Sequence, residues 1–121
     1  MSEQETDRIE KAEAAALQWL SVLDEGRYAE SWQNAALLLR NAANKSQFVQ
    51  SLVGVLGSLG PLQKRESAHS TYYTELPGAP DGEYVVIQFN SSFENKEKAV
   101  ETVTPMLDVD GKWRVSGYFV K

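Results

Sequence analysis

The spacing of apolar side chains changes at Pro61, and this change constrains the fold more than any other feature of the chain. Before Pro61, apolar residues recur every three to four positions, the period of an amphipathic helix. After Pro61, they recur at every second position, the period of a strand with one buried face. The sequence therefore predicts a single domain over residues 1–121, with a helical half over residues 7–60 and an antiparallel sheet over residues 62–121. Residues 1–6 are expected to form a disordered tail.

Three helices are predicted in the first half. The first begins at residue 6 or 7 and ends at Gly26, which suits a left-handed C-terminal stop. Its apolar stripe consists of Ile9, Ala12, Ala16, Trp19, Leu20 and Leu23. The second helix is expected over about residues 27–40, and the third follows an N-cap at Ser46. Gly54 lies inside the third helix, where it costs about 1 kcal/mol relative to alanine, so close packing is expected there.

Four strands are predicted in the second half, over residues 63–74, 83–90, 100–109 and 113–119. Residues 93–98 are interpreted as a charged loop or a single helical turn, and Asp110-Gly111 as a hairpin turn. In the last strand, one face is expected to carry Trp113, Val115, Gly117 and Phe119. The fold class is therefore α+β, in the order ααα-ββββ, with the helices packed on one face of a four-stranded antiparallel sheet.

Composition excludes several classes of function. The chain has no cysteine, which excludes disulfides, thiolate metal sites and a cysteine nucleophile. Its net charge is −5, so a nucleic-acid partner is not expected, because phosphate binding requires a clustered basic face. No membrane span and no cofactor are expected. As written the chain is expected to be cytoplasmic, or periplasmic or secreted if a signal peptide has been removed.

One histidine and one carboxylate are the candidates for chemistry. His69, on the first predicted strand, has the residue type of a general base, although a lone histidine on a sheet usually has a structural role. Glu101 lies on the third predicted strand among apolar residues. The favoured interpretation is an outward-facing carboxylate. If Glu101 points inward it requires a partner, and Arg65 or Arg114 would supply one.

Four tyrosines on the predicted strands are candidate binding or interface residues: Tyr72, Tyr73, Tyr84 and Tyr118. Tyr84 and Tyr118 alternate with Val85 and Val115, so both are expected on the face away from the helices. Exposed tyrosines are typical of interfaces, because they combine contact area with a polar group at low entropic cost. The alternative interpretation is a set of half-exposed tyrosines that stabilise cross-strand pairs.

Six segments of the chain together form a recognisable pattern: Gly26–Trp32, Leu59–Arg65, Tyr72–Val86, Ser92-Phe93, Val100–Thr104 and Trp113–Tyr118. They resemble a bacterial family of unknown function, DUF4019. The resemblance extends over nearly the whole chain from about Ala12. It implies no activity, cofactor or catalytic residue. It implies a small bacterial protein, of a family whose members are often exported and sometimes joined to a DNA-binding domain. By analogy, the helix-then-sheet order is similar to the cone-shaped fold of cystatin-like and nuclear-transport-factor-like proteins, in which a curved sheet wraps helices.

Two functional hypotheses follow. The favoured one is a non-enzymatic binding or protein-interaction module that uses the open sheet face, or the cone between helices and sheet. Its partner would be a peptide, a small apolar ligand or a second copy of the chain. The alternative is a small cone-fold enzyme in which His69 and a carboxylate such as Glu101 converge in a pocket, with Arg65 as a further polar residue.

Overall fold

The fold is described by a computed structural model covering residues 2–121. The helices are α1 (Glu3–Asp24), α2 (Tyr28–Gln33), α3 (Leu37–Ala42) and α4 (Lys45–Leu59). The strands are β1 (Leu62–Tyr73), β2 (Tyr84–Phe93), β3 (Lys96–Leu107) and β4 (Trp113–Val120). The sheet order is β1-β2-β3-β4, and each strand is antiparallel to its neighbour. The α+β class and the antiparallel sheet are confirmed. The sequence predicted three helices, whereas residues 2–121 form four.

Helix α1 begins earlier than its apolar stripe. The Ser2 side chain caps the helix by accepting a hydrogen bond from the Glu5 backbone N–H, and acidic residues in the first turn favour the positive end of the helix dipole. Residues 3–6, expected in a disordered tail, are therefore helical, while Met1 lies outside the described residues. The helix ends as predicted, with Gly26 at a φ of 78° just beyond its C-cap.

The prediction of one continuous second helix is wrong, because this segment forms two short helices, α2 and α3. Ala36 is extended, and its N–H donates to the Val115 carbonyl of β4 at 2.8 Å. The next N–H, that of Leu37, donates to Asp108 of the β3–β4 hairpin. Bonds to β4 and to the β3–β4 hairpin thus replace helical bonds at residues 36 and 37, and tertiary contacts override the helical propensity of this alanine- and leucine-rich segment.

Two expectations for the third predicted helix, α4, are corrected. The N-cap is Asn44 rather than Ser46, because Asn44 and Gln47 form a reciprocal capping box. Gly54 is not closely packed: a Cβ atom there would meet no other atom within 4 Å. Only Leu52 of α4 is buried, and Phe48 and Leu56 pack at the border of the core.

Residues 93–98 form a tight β-hairpin instead of a charged loop or helical turn. Strand β2 continues to Phe93 and β3 starts at Lys96, so only Glu94 and Asn95 form the turn. Their N–H groups donate to the carbonyls of Pro61 and Leu59. These bonds to the α4–β1 junction hold the turn, and no sequence period signals them.

The core lies between α1 and one face of the sheet. The stripe predicted for α1 is buried, and it packs on Val85, Ile87, Phe89, Val103 and Val115. Helix α1 contacts all four strands, which places the helices on one face, here called the inner face. The outer face exposes Phe119, at 54% of its surface. No helix within residues 2–121 is long and apolar enough to cross a membrane.

Candidate functional site

Glu101 is the most deeply buried charged group among the described residues, with 0% of its surface exposed. It lies opposite Phe89 of β2, so the strand alternation places it on the inner face. One carboxylate oxygen accepts hydrogen bonds from Arg65 Nε at 2.7 Å and Ser91 Oγ at 2.6 Å. The other accepts from Arg65 Nη2 at 3.1 Å and Tyr118 Oη at 2.6 Å. The favoured outward-facing interpretation is wrong, and of the two suggested partners the arginine is Arg65.

Arg65 joins the sheet to the end of α1. Besides its two bonds to Glu101, its guanidinium donates to both carboxylate oxygens of Asp24, at 2.7 and 2.9 Å. Two carboxylates from different elements therefore bind one planar donor group, each through two bonds. We call Asp24, Arg65, Ser91, Glu101 and Tyr118 the Glu101 cluster; it connects α1 with all four strands.

Two β-bulges change which residues of β1 and β4 face inward, and the bulge in β4 brings Tyr118 into this cluster. In β1, Ser67 pairs with Phe89 and His69 with Gln88, so Ala68 is an extra residue. In β4, Thr104 pairs with Gly117 and Pro105 with Val115, so Ser116 is extra. Each extra residue reverses the alternation of the strand that follows it. The predicted uninterrupted alternation of the last strand is therefore wrong, and Phe119 lies on the outer face.

The cluster keeps its charges. Burial opposes ionisation of Glu101, but hydrogen bonds from Arg65, Ser91 and Tyr118 outweigh it and lower the pKa of this carboxyl. Burial also opposes the charge of Arg65, but the bonds to Asp24 and Glu101 raise its pKa. Burial and the adjacent Glu101 charge raise the pKa of the Tyr118 hydroxyl, which stays protonated as a donor. The cluster is thus a stable set of two carboxylates and one guanidinium.

His69 and Glu101 do not converge. The β1 bulge pairs His69 with the exposed Gln88 on the outer face, while Glu101 lies on the inner face. The Nε2 atom of His69 lies 3.0 Å from Thr71 Oγ1, its neighbour along the same exposed edge. The alternative enzyme hypothesis requires His69 and Glu101 to converge in one pocket, and in the structure the sheet lies between them.

The four tyrosines do not form one exposed face. Tyr84 lies on the outer face as expected but is only 1% exposed, because the β1–β2 loop covers it and its hydroxyl donates to the Pro80 carbonyl. The β4 bulge turns Tyr118 to the inner face, against Trp19. Tyr72 borders the core and donates to Glu83 at 2.9 Å. Tyr73 is the member of this set with an exposed surface.

An open groove runs between α1 and β1, beside the Glu101 cluster. It has a volume of about 470 Å³ and is lined by Glu13 and Leu17 of α1, Arg65 and Ser67 of β1, and Phe89 of β2. Leu17 is 53% exposed, whereas Phe89 is buried. Because β1 is an edge strand, no further strand covers this side. We call this the α1–β1 groove.

Comparison with known proteins supports the sequence resemblance. Residues 15–118 match the model of a family described as "Protein of unknown function (DUF4019)". The chain belongs to the DUF4019 family. No curated protein and no solved structure matches this DUF4019 chain in the two other comparisons.

A second arginine of the DUF4019 chain binds two carboxylates at the β3–β4 hairpin. Arg114 contacts Asp108 at 3.2 Å and Asp110 through two bonds of 2.8 Å. Asp108 also accepts the Leu37 N–H at the start of α3. We call this the Arg114 cluster. Within residues 2–121, no group of three or more histidine, aspartate or glutamate side chains is placed to hold a metal ion.

Sequence reasoning identified Arg65 and Glu101 but missed Asp24, Ser91 and Tyr118 as their partners. Asp24 lies just before the predicted helix end at Gly26, and Ser91 follows the second predicted strand, so neither was a candidate site residue. The available signal is the position of Glu101 itself, which lies two residues before Val103 and therefore on the same face of the strand. A carboxylate on a buried face requires several hydrogen-bond partners. The α1–β1 groove carries no comparable signal, because it depends on the packing distance between two elements.

Proposed function

We propose that this DUF4019 chain is a non-enzymatic binding module whose ligand lies in the α1–β1 groove. The observation that carries the proposal is the composition of the groove: an exposed leucine and a buried phenylalanine beside fixed polar groups. A concave, partly apolar surface with a few fixed polar groups is the usual form of a small-molecule site.

The geometry favours binding over catalysis. Both oxygens of Glu101 already accept two hydrogen bonds each, so the carboxylate has no free position for a proton from a substrate. His69 lies on the other side of the sheet. Among the described residues, no buried side-chain nitrogen or oxygen lacks a partner. The polar groups near the groove therefore act as a rigid frame, which suits recognition.

The cone-shaped architecture suggested by the family resemblance is part of this proposal. Helices on one face of an open antiparallel sheet support it, as does the contact of α1 with every strand. The α1–β1 groove lies at the margin of this arrangement, between α1 and the edge strand β1. The other partners in the hypothesis are a peptide and a second copy of the chain, and sedimentation of the same samples checks the second of these.

The test is a screen of small apolar compounds by two-dimensional NMR of the amide groups. We expect the compounds that bind to shift the amide signals of Leu17, Ser67 and Phe89. Leu17→Ser should weaken their binding about tenfold, because it removes an apolar contact worth about 1.5 kcal/mol.

Val53→Ser is the matched control, since Val53 is 54% exposed on α4, away from the groove. The control should bind like the wild type. Shifts that map to the outer face, or equal affinity for Leu17→Ser and wild type, would contradict the proposal. Sedimentation velocity of the same samples separates ligand binding from self-association.

A further inference from the structure

The α1–β1 groove also indicates the charge of its ligand. We infer that it binds a small organic cation, in which an ammonium group is attached to an alkyl or aryl part. This inference rests on the proposed function, since it assigns a ligand class to the same groove.

Glu13 is the first observation. Its carboxylate is half-buried in the groove wall and is held by one hydrogen bond, from Ser70 Oγ at 2.7 Å. No basic side chain within residues 2–121 forms an ion pair with it. The nearby basic residues of α1 already have partners: Arg8 binds Glu83, and Lys11 binds Asp7. Glu13 is therefore a fixed negative charge with one oxygen available to a ligand.

Arg65 does not offset this charge. It is the basic residue of the groove lining, but its guanidinium is bound by Asp24 and Glu101 through two bonds each. With Glu13, the groove and the adjacent cluster therefore hold three carboxylates and one guanidinium. The excess is negative, and a partly desolvated negative charge attracts a cation more strongly than it would in bulk water.

The apolar part of the ligand follows from the remaining lining. Leu17, which is 53% exposed, provides contact area for an alkyl or aryl group above the buried side chain of Phe89. The volume of about 470 Å³ suits a small molecule. An extended peptide is disfavoured, because the bulge at Ala68 interrupts the free edge of β1 beside the groove and breaks the regular ladder that strand addition needs.

The test compares three probes that share a phenyl group and differ in charge: phenethylammonium, 2-phenylethanol and 3-phenylpropionate. Affinities for the full chain are measured by NMR titration at pH 7. Phenethylammonium should bind about tenfold more tightly than the alcohol, and the carboxylate most weakly. Added salt should weaken the binding of phenethylammonium and leave that of the alcohol unchanged.

Two variants assign the effect to Glu13. Glu13→Gln should lower the affinity for phenethylammonium about tenfold and leave 2-phenylethanol unchanged. Glu75→Gln, which removes the same charge from an exposed loop, should change neither affinity.

If the alcohol or the carboxylate binds at the groove as tightly as phenethylammonium, the inferred charge is wrong and the binding module stands. Equal phenethylammonium affinity for Glu13→Gln and wild type would also overturn the inference. If none of the probes and no compound of the wider screen shifts the groove signals, both proposals fail.

Discussion

The Glu101 and Arg114 clusters contain the same chemical groups but differ in how far those groups are exposed to solvent. In each, one arginine binds two carboxylates at distances of 2.7–3.2 Å. Glu101 is completely buried, whereas the Asp110 side chain is nearly half exposed. Water solvates Asp110 of the second cluster when a bond breaks, but it does not reach Glu101 of the first. We therefore expect burial, rather than the number of bonds, to decide how much each salt bridge contributes to the stability of the fold.

The largest expected effect is that of Arg65→Met. It leaves Glu101 buried without a charged partner, so we expect the free energy of unfolding to fall by about 3–5 kcal/mol. Urea denaturation followed by tryptophan fluorescence measures this change. Arg114→Met is the matched control and should cost much less, because Asp110 is solvated and Asp108 keeps its backbone bonds to Leu37 and Val109. Equal losses would remove the distinction between the clusters.

Tyr118→Phe should have an intermediate effect. It removes one hydrogen bond to a buried charge, which contributes about 1.5–3 kcal/mol, while Glu101 keeps its bonds to Arg65 and Ser91. Tyr73→Phe, on the exposed part of β1, is the control and should be nearly neutral. A loss for Tyr118→Phe no greater than that for Tyr73→Phe would show that the hydroxyl does not stabilise Glu101.

The smallest expected effect is in the acid dependence of stability. The folded state lowers the pKa of Glu101, so its contribution is present above the unfolded pKa of about 4.3 and is lost as pH falls through the lower folded value. Asp110, with a pKa of about 2 beside Arg114, acts in the same direction, but solvent and salt screen it.

Unfolding free energies measured from pH 6 down to pH 2 should therefore fall less steeply in Glu101→Gln than in the wild type. Asp110→Asn should reduce this slope only slightly, and 0.5 M salt should abolish the difference between Asp110→Asn and wild type. A wild-type slope in Glu101→Gln would show that Glu101 does not titrate in this range.

The sequence predicted what depends on local period and turn chemistry. The stripe of α1, the position of β1 and the turn at Asp110-Gly111 are all found in the structure. The errors occur where tertiary contacts override a local pattern. Ala36 leaves the helical conformation to bond with β4, and the extra residue Ser116 reverses the alternation that precedes Tyr118.

The candidate site was predictable to the same extent. Arg65 was named, together with Arg114, as the partner that Glu101 would need if it pointed inward, because a buried carboxylate requires one. The alternative enzyme hypothesis placed His69 with Glu101. The sequence does not indicate the bulge at Ala68, because the residues around it are all small or polar. The α1–β1 groove could not be predicted, since neither Leu17 nor Ser67 departs from the pattern of its own element.

A double-mutant cycle with Arg65→Met and Glu101→Leu tests the central claim, that a buried and internally satisfied ion pair joins β1 to β3 across the inner face of the sheet. The account predicts that the double variant recovers much of the stability lost by either single variant, with a coupling of about 2–3 kcal/mol. The same cycle with Arg114→Met and Asp110→Leu should give a coupling near zero. Equal couplings in the two cycles would contradict the account.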